Sequence, residues 1–145
     1  MKMLFKLIAA SVITLQGCNE AGAHEEVTLS LAPEYSGGTL YVSPVVTYEG
    51  EEEAVFQFGH SIARIVEIRE EDELLFEGEE EDVDVDQQTT MEEDDERTGY
   101  TVELDVEPGI YTIKAEAEYH IVTAENELEK YRHELQQKVE VQSER

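Results

Sequence analysis

IYTIKAEAEYHIV, residues 110–122, places Tyr111, Ile113, Ala115, Ala117, Tyr119 and Ile121 at every second position, with charged or polar side chains at most positions between them. A period of two sustained over this length reads as a long strand with one buried face. The stretch behind it, LEKYRHELQQKVEV (residues 128–141), admits two readings. Leu128, Tyr131, Leu135 and Val139 fit helical spacing and, with Val141, also one face of a strand. A hairpin centred on Asn126 sets Tyr119 opposite His133, Ala117 opposite Leu135, Ile113 opposite Val139 and Tyr111 opposite Val141, which matches small residues with larger ones. That pairing favours the hairpin, while residues 127–137 hold enough good helix formers to leave a helix as the alternative.

The same alternation runs back through the chain. Val27, Leu29 and Leu31 alternate with polar neighbours, and PEYSGG (residues 33–38) supplies turn chemistry before TLYVSPVVTY (residues 39–48). Pro44 has no N–H to donate, so an edge strand or a bulge is expected there. AVFQF (residues 54–58) resumes the pattern, and Ile62, Ile65, Val66 and Ile68 form another run whose β-branching favours a strand over a helix. Leu74 to Phe76, Val83 with Val85, and YTVELDV (residues 100–106) follow. Glu107-Pro108-Gly109 is a turn in which Pro presets one φ and Gly tolerates a positive one. Short strands with turns every 8 to 12 residues predict an all-β fold, an immunoglobulin-like antiparallel β-sandwich of seven or eight strands over residues 27–142. In the acidic segment 77–97 and just beyond, residues 87–98 are expected to form a mobile loop.

Charge excludes one class of partner. The chain carries 36 Asp and Glu against 10 Lys and Arg, a net charge of -26 in 145 residues, which excludes a nucleic-acid binder working by counterion release. Such an excess raises the question of disorder. From Cys18 onward, 30 of 128 residues are Leu, Ile, Val or Phe, roughly 23% and just above the ~20% below which a highly charged chain stays unfolded. A small core is within reach. The acidic exterior is expected where salt shortens the Debye length to about 3 Å at 1 M, which points to saline or alkaline surroundings.

The N-terminus reads as an export signal. MKMLFK (residues 1–6) supplies two positive charges, and LIAASVITL (residues 7–15) is an apolar run of nine, too short to span a bilayer. Leu15-Gln16-Gly17-Cys18 follows and resembles the bacterial lipobox, in which the cysteine receives a diacylglyceryl group. Cys18 is the only cysteine, so no disulfide within the chain is possible. The expected organisation is a lipoprotein signal peptide over residues 1–17 and a lipidated Cys18 with a short tether to residue 26. Two acyl chains hold a protein on a membrane where one does not. The domain then sits on the outer face of a bacterial cell membrane, and His24 in the tether is expected to be solvated. Removal of Lys2 and Lys6 leaves eight cations and a net charge of -28.

The order of segments resembles that of the intracellular proteinase inhibitor (BsuPI) domain family over roughly residues 39–142. The likeness rests on AVFQFGHS (residues 54–61), on IVEIREEDELLF (residues 65–76) with its strand, acidic turn and strand, and on VEPGIYTIKAEAEY (residues 106–119) with its Pro-Gly-x-Tyr lead into a long strand. The resemblance implies an Ig-like sandwich and, from the family's name, inhibition of a serine protease. An exported chain would meet a target outside the cytoplasm. No reactive-site motif carries over residue by residue. The function expected is recognition of a protein partner, a protease or an envelope protein, and the alternative is an acidic structural or cation-binding envelope protein.

Three constellations invite chemistry. Asp82, Asp84 and Asp86 with Glu93 at the twelfth place match part of the EF-hand spacing, but Gln87 stands where that loop needs Gly. The plain reading is a strand with an acidic solvent face, and divalent-cation binding by segment 77–97 stays open. His60-Ser61 among acids suggests a triad, yet no nucleophile-elbow glycines surround Ser61. His120 and His133 fall on neighbouring strands of the hairpin but on opposite faces, which argues against a shared metal and for ordinary surface or edge positions. No catalytic residue, cofactor or metal ligand is expected, and the chain is not read as an enzyme.

Overall fold

Alternation in the sequence becomes pairing in a computed structural model that describes residues 8–9, 23–59, 61–78 and 87–143. The described residues contain eleven strands: β1 (Ile8–Ala9), β2 (Val27–Ser36), β3 (Thr39–Tyr48), β4 (Ala54–Phe58), β5 (Ala63–Glu70), β6 (Glu73–Glu77), β7 (Gln87–Met91), β8 (Glu96–Thr98), β9 (Val102–Asp105), β10 (Gly109–Val122) and β11 (Leu128–Val141). No helix is found among them. Two antiparallel sheets result, so the chain is an all-β sandwich as its periodicity predicts. The long strand β10 pairs with β11 along one edge, and along the other with β5 and then β4; β6 extends β5, β7 extends β4, and β1 pairs with β11 at Glu140 and Val141. In the second sheet β3 lies between β2 and, in tandem, β9 and β8. The strand count exceeds seven or eight partly because β3 and β10 each take two short partners on one edge.

The core lies between the sheets. Leu40, Val42 and Val46 from β3 meet Tyr111, Ile113 and Ala117 from β10, with Phe56, Ile68 and Val139 closing the sides, all nearly or fully buried. Each Leu, Val, Ile or Phe side chain among them contributes about 1.5–3 kcal/mol relative to exposure.

The hairpin over residues 109–141 forms, and the helical alternative at 127–137 does not. Its register is displaced by two residues from the expected one: Tyr111 faces Val139, Ala115 faces Leu135, Ala117 faces His133 and Tyr119 faces Tyr131. The turn sets this offset. Thr123 N–H donates to the Glu127 carbonyl (2.7 Å), and the Asn126 N–H to the Thr123 carbonyl (2.9 Å). Asn126 takes φ 63°, the left-handed last position of a three-residue loop after a tight turn. The axis therefore passes through Glu125 rather than Asn126. An even shift keeps every side chain on its face.

Other expectations are corrected. Pro44 is not on an edge strand, since β3 is paired on both sides. Its carbonyl accepts from Gly99 N–H (2.8 Å), so the donor that Pro lacks would point to the edge where β9 gives way to β8 and no ladder is broken. Residues 87–98 are not a loop throughout but form β7 and β8. The turn between them is held by Asp95 Oδ2, which accepts from Glu92 N–H (2.7 Å), and by exchange with Tyr48, which receives the Asp94 N–H (2.7 Å) and donates its own to Asp95 (3.0 Å). The mixed period at 62–68 has its cause in a bulge in β5, where Glu67 faces Lys114 and Ile65 faces Ala115, leaving Val66 extra.

Candidate functional site

The segment leading into β2 meets the sandwich at a histidine–tyrosine cluster. His133 on β11 is 8% exposed, a correction to the surface or edge position expected for it. Its place in the strand alternation aims it inward, and its register partner Ala117 has a small side chain that leaves the space. Tyr119 Oη lies 2.7 Å from His133 Nε2, and the backbone N–H of His24 donates to the same nitrogen at 3.4 Å. With two donors aimed at it, Nε2 is the lone-pair nitrogen and the ring proton sits on Nδ1. Burial pushes the His133 pKa down to about 4, with His24 adding to the effect, and the same burial drives the Tyr119 phenol upward.

His24 is therefore not simply solvated. Its Nδ1 accepts from Glu26 N–H (3.1 Å), and its ring meets Tyr131 edge-on at 4.8 Å between centroids. Tyr119 stacks with both Tyr131 and His133. The domain thus takes hold of the chain three residues before β2 begins. His120 lies on the opposite face, as expected, where its Nδ1 is buried without a hydrogen-bond partner.

Ser61 is engaged with the backbone. Its hydroxyl donates to the Ala63 carbonyl at 2.6 Å, and Gly99 packs against it so closely that a Cβ there would reach 2.9 Å from Oγ. His60 lies outside the described residues. So do Cys18, Asp82, Asp84 and Asp86, and with them the expected lipidation position and most of the EF-hand-like spacing. Among the described residues no group of three or more His, Cys, Asp or Glu is placed to hold a metal ion.

The outer face of β5, β10 and β11 carries a lattice of ion pairs. Glu116 joins Arg64 (3.3 Å) and Arg132 (2.9 Å), and Arg132 reaches on to Glu134 (2.7 Å). Glu67 joins Arg69 (2.7 Å) and Lys114 (3.8 Å), and Lys130 joins Glu118 (2.9 Å). The hydrogen bond from Arg69 holds the Glu67 carboxyl below its ordinary range. Diagonal neighbours make the hairpin part of this lattice: Glu116, in register with Glu134, reaches Arg132, and Glu118, in register with Arg132, reaches Lys130. Sequence reading identified the acidic excess but not this gathering of cations, which depends on strands far apart in the chain. No family model and no curated protein matches the chain.

Proposed function

We propose that the chain is a bacterial cell-surface lipoprotein, anchored through lipid on Cys18, whose sandwich is an Ig-like module of the BsuPI type that works by binding a protein. One observation carries the Ig-like reading. The Tyr111 hydroxyl, at the start of β10, donates to the Glu107 carbonyl four residues upstream, the corner arrangement that Ig-like sandwiches place at the start of the corresponding strand. It stands in the Pro108-Gly109-x-Tyr111 segment on which the family resemblance rests. Protease inhibition is the activity the resemblance implies, and fold alone does not supply it.

The anchor is tested by metabolic labelling with a fatty acid. Label is expected on the wild type and absent from Cys18→Ser; purified protein that retains Met1 and carries no lipid overturns the reading. Inhibition is tested by titrating purified mature domain against secreted serine proteases, where stoichiometric loss of activity supports it and none removes it. A second reading, an acidic structural or cation-buffering envelope protein, is favoured by the net charge of -26. It predicts that immobilised domain retains only cationic proteins, all released by salt.

A further inference from the structure

The two outer faces of the sandwich differ in charge. Arg64, Arg69, Lys114, Lys130, Arg132 and Lys138 all lie on β5, β10 and β11, whereas β2, β3 and β9 contain no Lys or Arg and β8 contains Arg97, which is in register with the buried Val46 and donates to the Thr89 hydroxyl of β7. On β3, Leu40, Val42, Pro44, Val46 and Tyr48 are buried, so the odd-numbered residues face outward. Register then builds rows across the sheet: Thr28 with Thr47, Ser30 with Val45 and Thr98, and Ala32 with Ser43, whose hydroxyl meets that of Thr101 at 2.6 Å. These central rows hold no charge, in a chain of which 32% of residues are charged.

Carboxylates stand at both ends of the rows. Glu96 is the register partner of Thr47, and Glu49 accepts from Thr28 Oγ1 (3.4 Å). At the far end Tyr41 lies between Glu34 and Glu103, and Asp105 accepts from Thr39 Oγ1 (2.8 Å). An uncharged centre inside a charged rim shares one feature with protein-binding patches, in which charge is depleted at the core and retained at the edge. Ten residues of strand make the patch about 33 Å long. The centre holds no charge to desolvate, and the outward rim residues Glu34, Glu49, Glu96, Glu103 and Asp105 are all acidic.

We infer that the outer face of β2, β3, β8 and β9 is a docking surface for a protein that presents a flat uncharged patch ringed by Lys and Arg. The inference rests on the proposed binding function and names its surface. The rim steers the basic partner, and the central rows supply the contact. The opposite face is a poor alternative, since Arg64, Arg69, Lys114, Lys130 and Arg132 are already engaged by neighbouring carboxylates.

The test uses the full lipid-anchored chain on intact cells, with a photo-crosslinking phenylalanine analogue at Ser30, Tyr41 or Thr47, and at Lys114 or Lys130 as positions on the other face. The captured protein is identified, purified and titrated with wild-type domain and with Val45→Glu. The expected result is one basic protein from all three sheet-face positions and none from Lys114 or Lys130, with Val45→Glu weakening binding at least about tenfold. Glu103→Lys should lower affinity and flatten its salt dependence. Circular dichroism confirms the fold of each variant, and the crosslinking pattern stands independently of Val45. Capture through Lys114 or Lys130 alone, or of a second copy of this chain, overturns the surface but leaves the binding function standing. Absence of capture at every position overturns both.

Discussion

At Gly99 three parts of the chain meet within a side chain's reach. A Cβ there would overlap the Ala63 carbonyl oxygen and come within 2.9 Å of Pro44 Cγ and Ser61 Oγ. The nearest of these atoms is backbone and cannot swing aside, so Gly99→Ala is expected to cost about 1–3 kcal/mol, read as a lower denaturation midpoint at unchanged slope. His133 gives the residue scale its pH dependence. Its pKa stands near 4 in the fold against 6.5 for the free side chain. Below pH 6.5 the unfolded chain takes up a proton that the native one refuses, so stability present above pH 6.5 is lost as pH falls toward 4. The loss amounts to up to about 3 kcal/mol. Subtracting the unfolding free energies of His133→Leu from those of the wild type across pH 4–8 isolates it from the carboxylates. A flat difference would mean that His133 titrates normally.

At the scale of elements, the turns carry the strain. Gly37 and Gly38 both take positive φ, 61° and 84°, as a two-residue hairpin with the right twist requires. Glu71 in the β5–β6 turn and Asn126 in the β10–β11 turn adopt the same region, at 56° and 63°, without glycine's freedom. Glu71→Gly is therefore expected to stabilise by about 0.5–1 kcal/mol, whereas Asn126→Val destabilises by about 1–2 kcal/mol. Thermal melts of the two variants should move in opposite directions.

Across the whole molecule, salt acts on two opposed effects. It weakens the ion-pair lattice, whose members are 16–55% exposed on their side chains, and such pairs contribute about 0–1 kcal/mol each. It also screens the mutual repulsion of an excess of 26 negative charges, which acts between all of them at once. Repulsion is the larger effect, and the melting temperature is expected to rise from low salt to molar NaCl. A constant or falling value would remove the link to saline surroundings.

The sequence by itself determined the class of fold and which side of most strands is buried. A period of two needs no knowledge of partners, because successive side chains on any strand point to opposite faces. That is why Tyr111, Ile113, Ala115, Ala117 and Tyr119 are legible as core from the letters alone. Register was only half legible: pairing residues by size found the hairpin and its faces, but the left-handed residue at position 126 shifted the axis by one position. Tertiary structure decided the rest. Ala117 made room for His133, β8 and β9 turned β3 into an interior strand despite Pro44, and the docking of Asp94 and Asp95 on Tyr48 ordered an acidic segment whose composition suggests a loop. The separation of a charged face from a neutral one also required the fold. Which strands lie side by side depends on contacts between residues far apart in the chain, and these leave no periodic mark in any one segment.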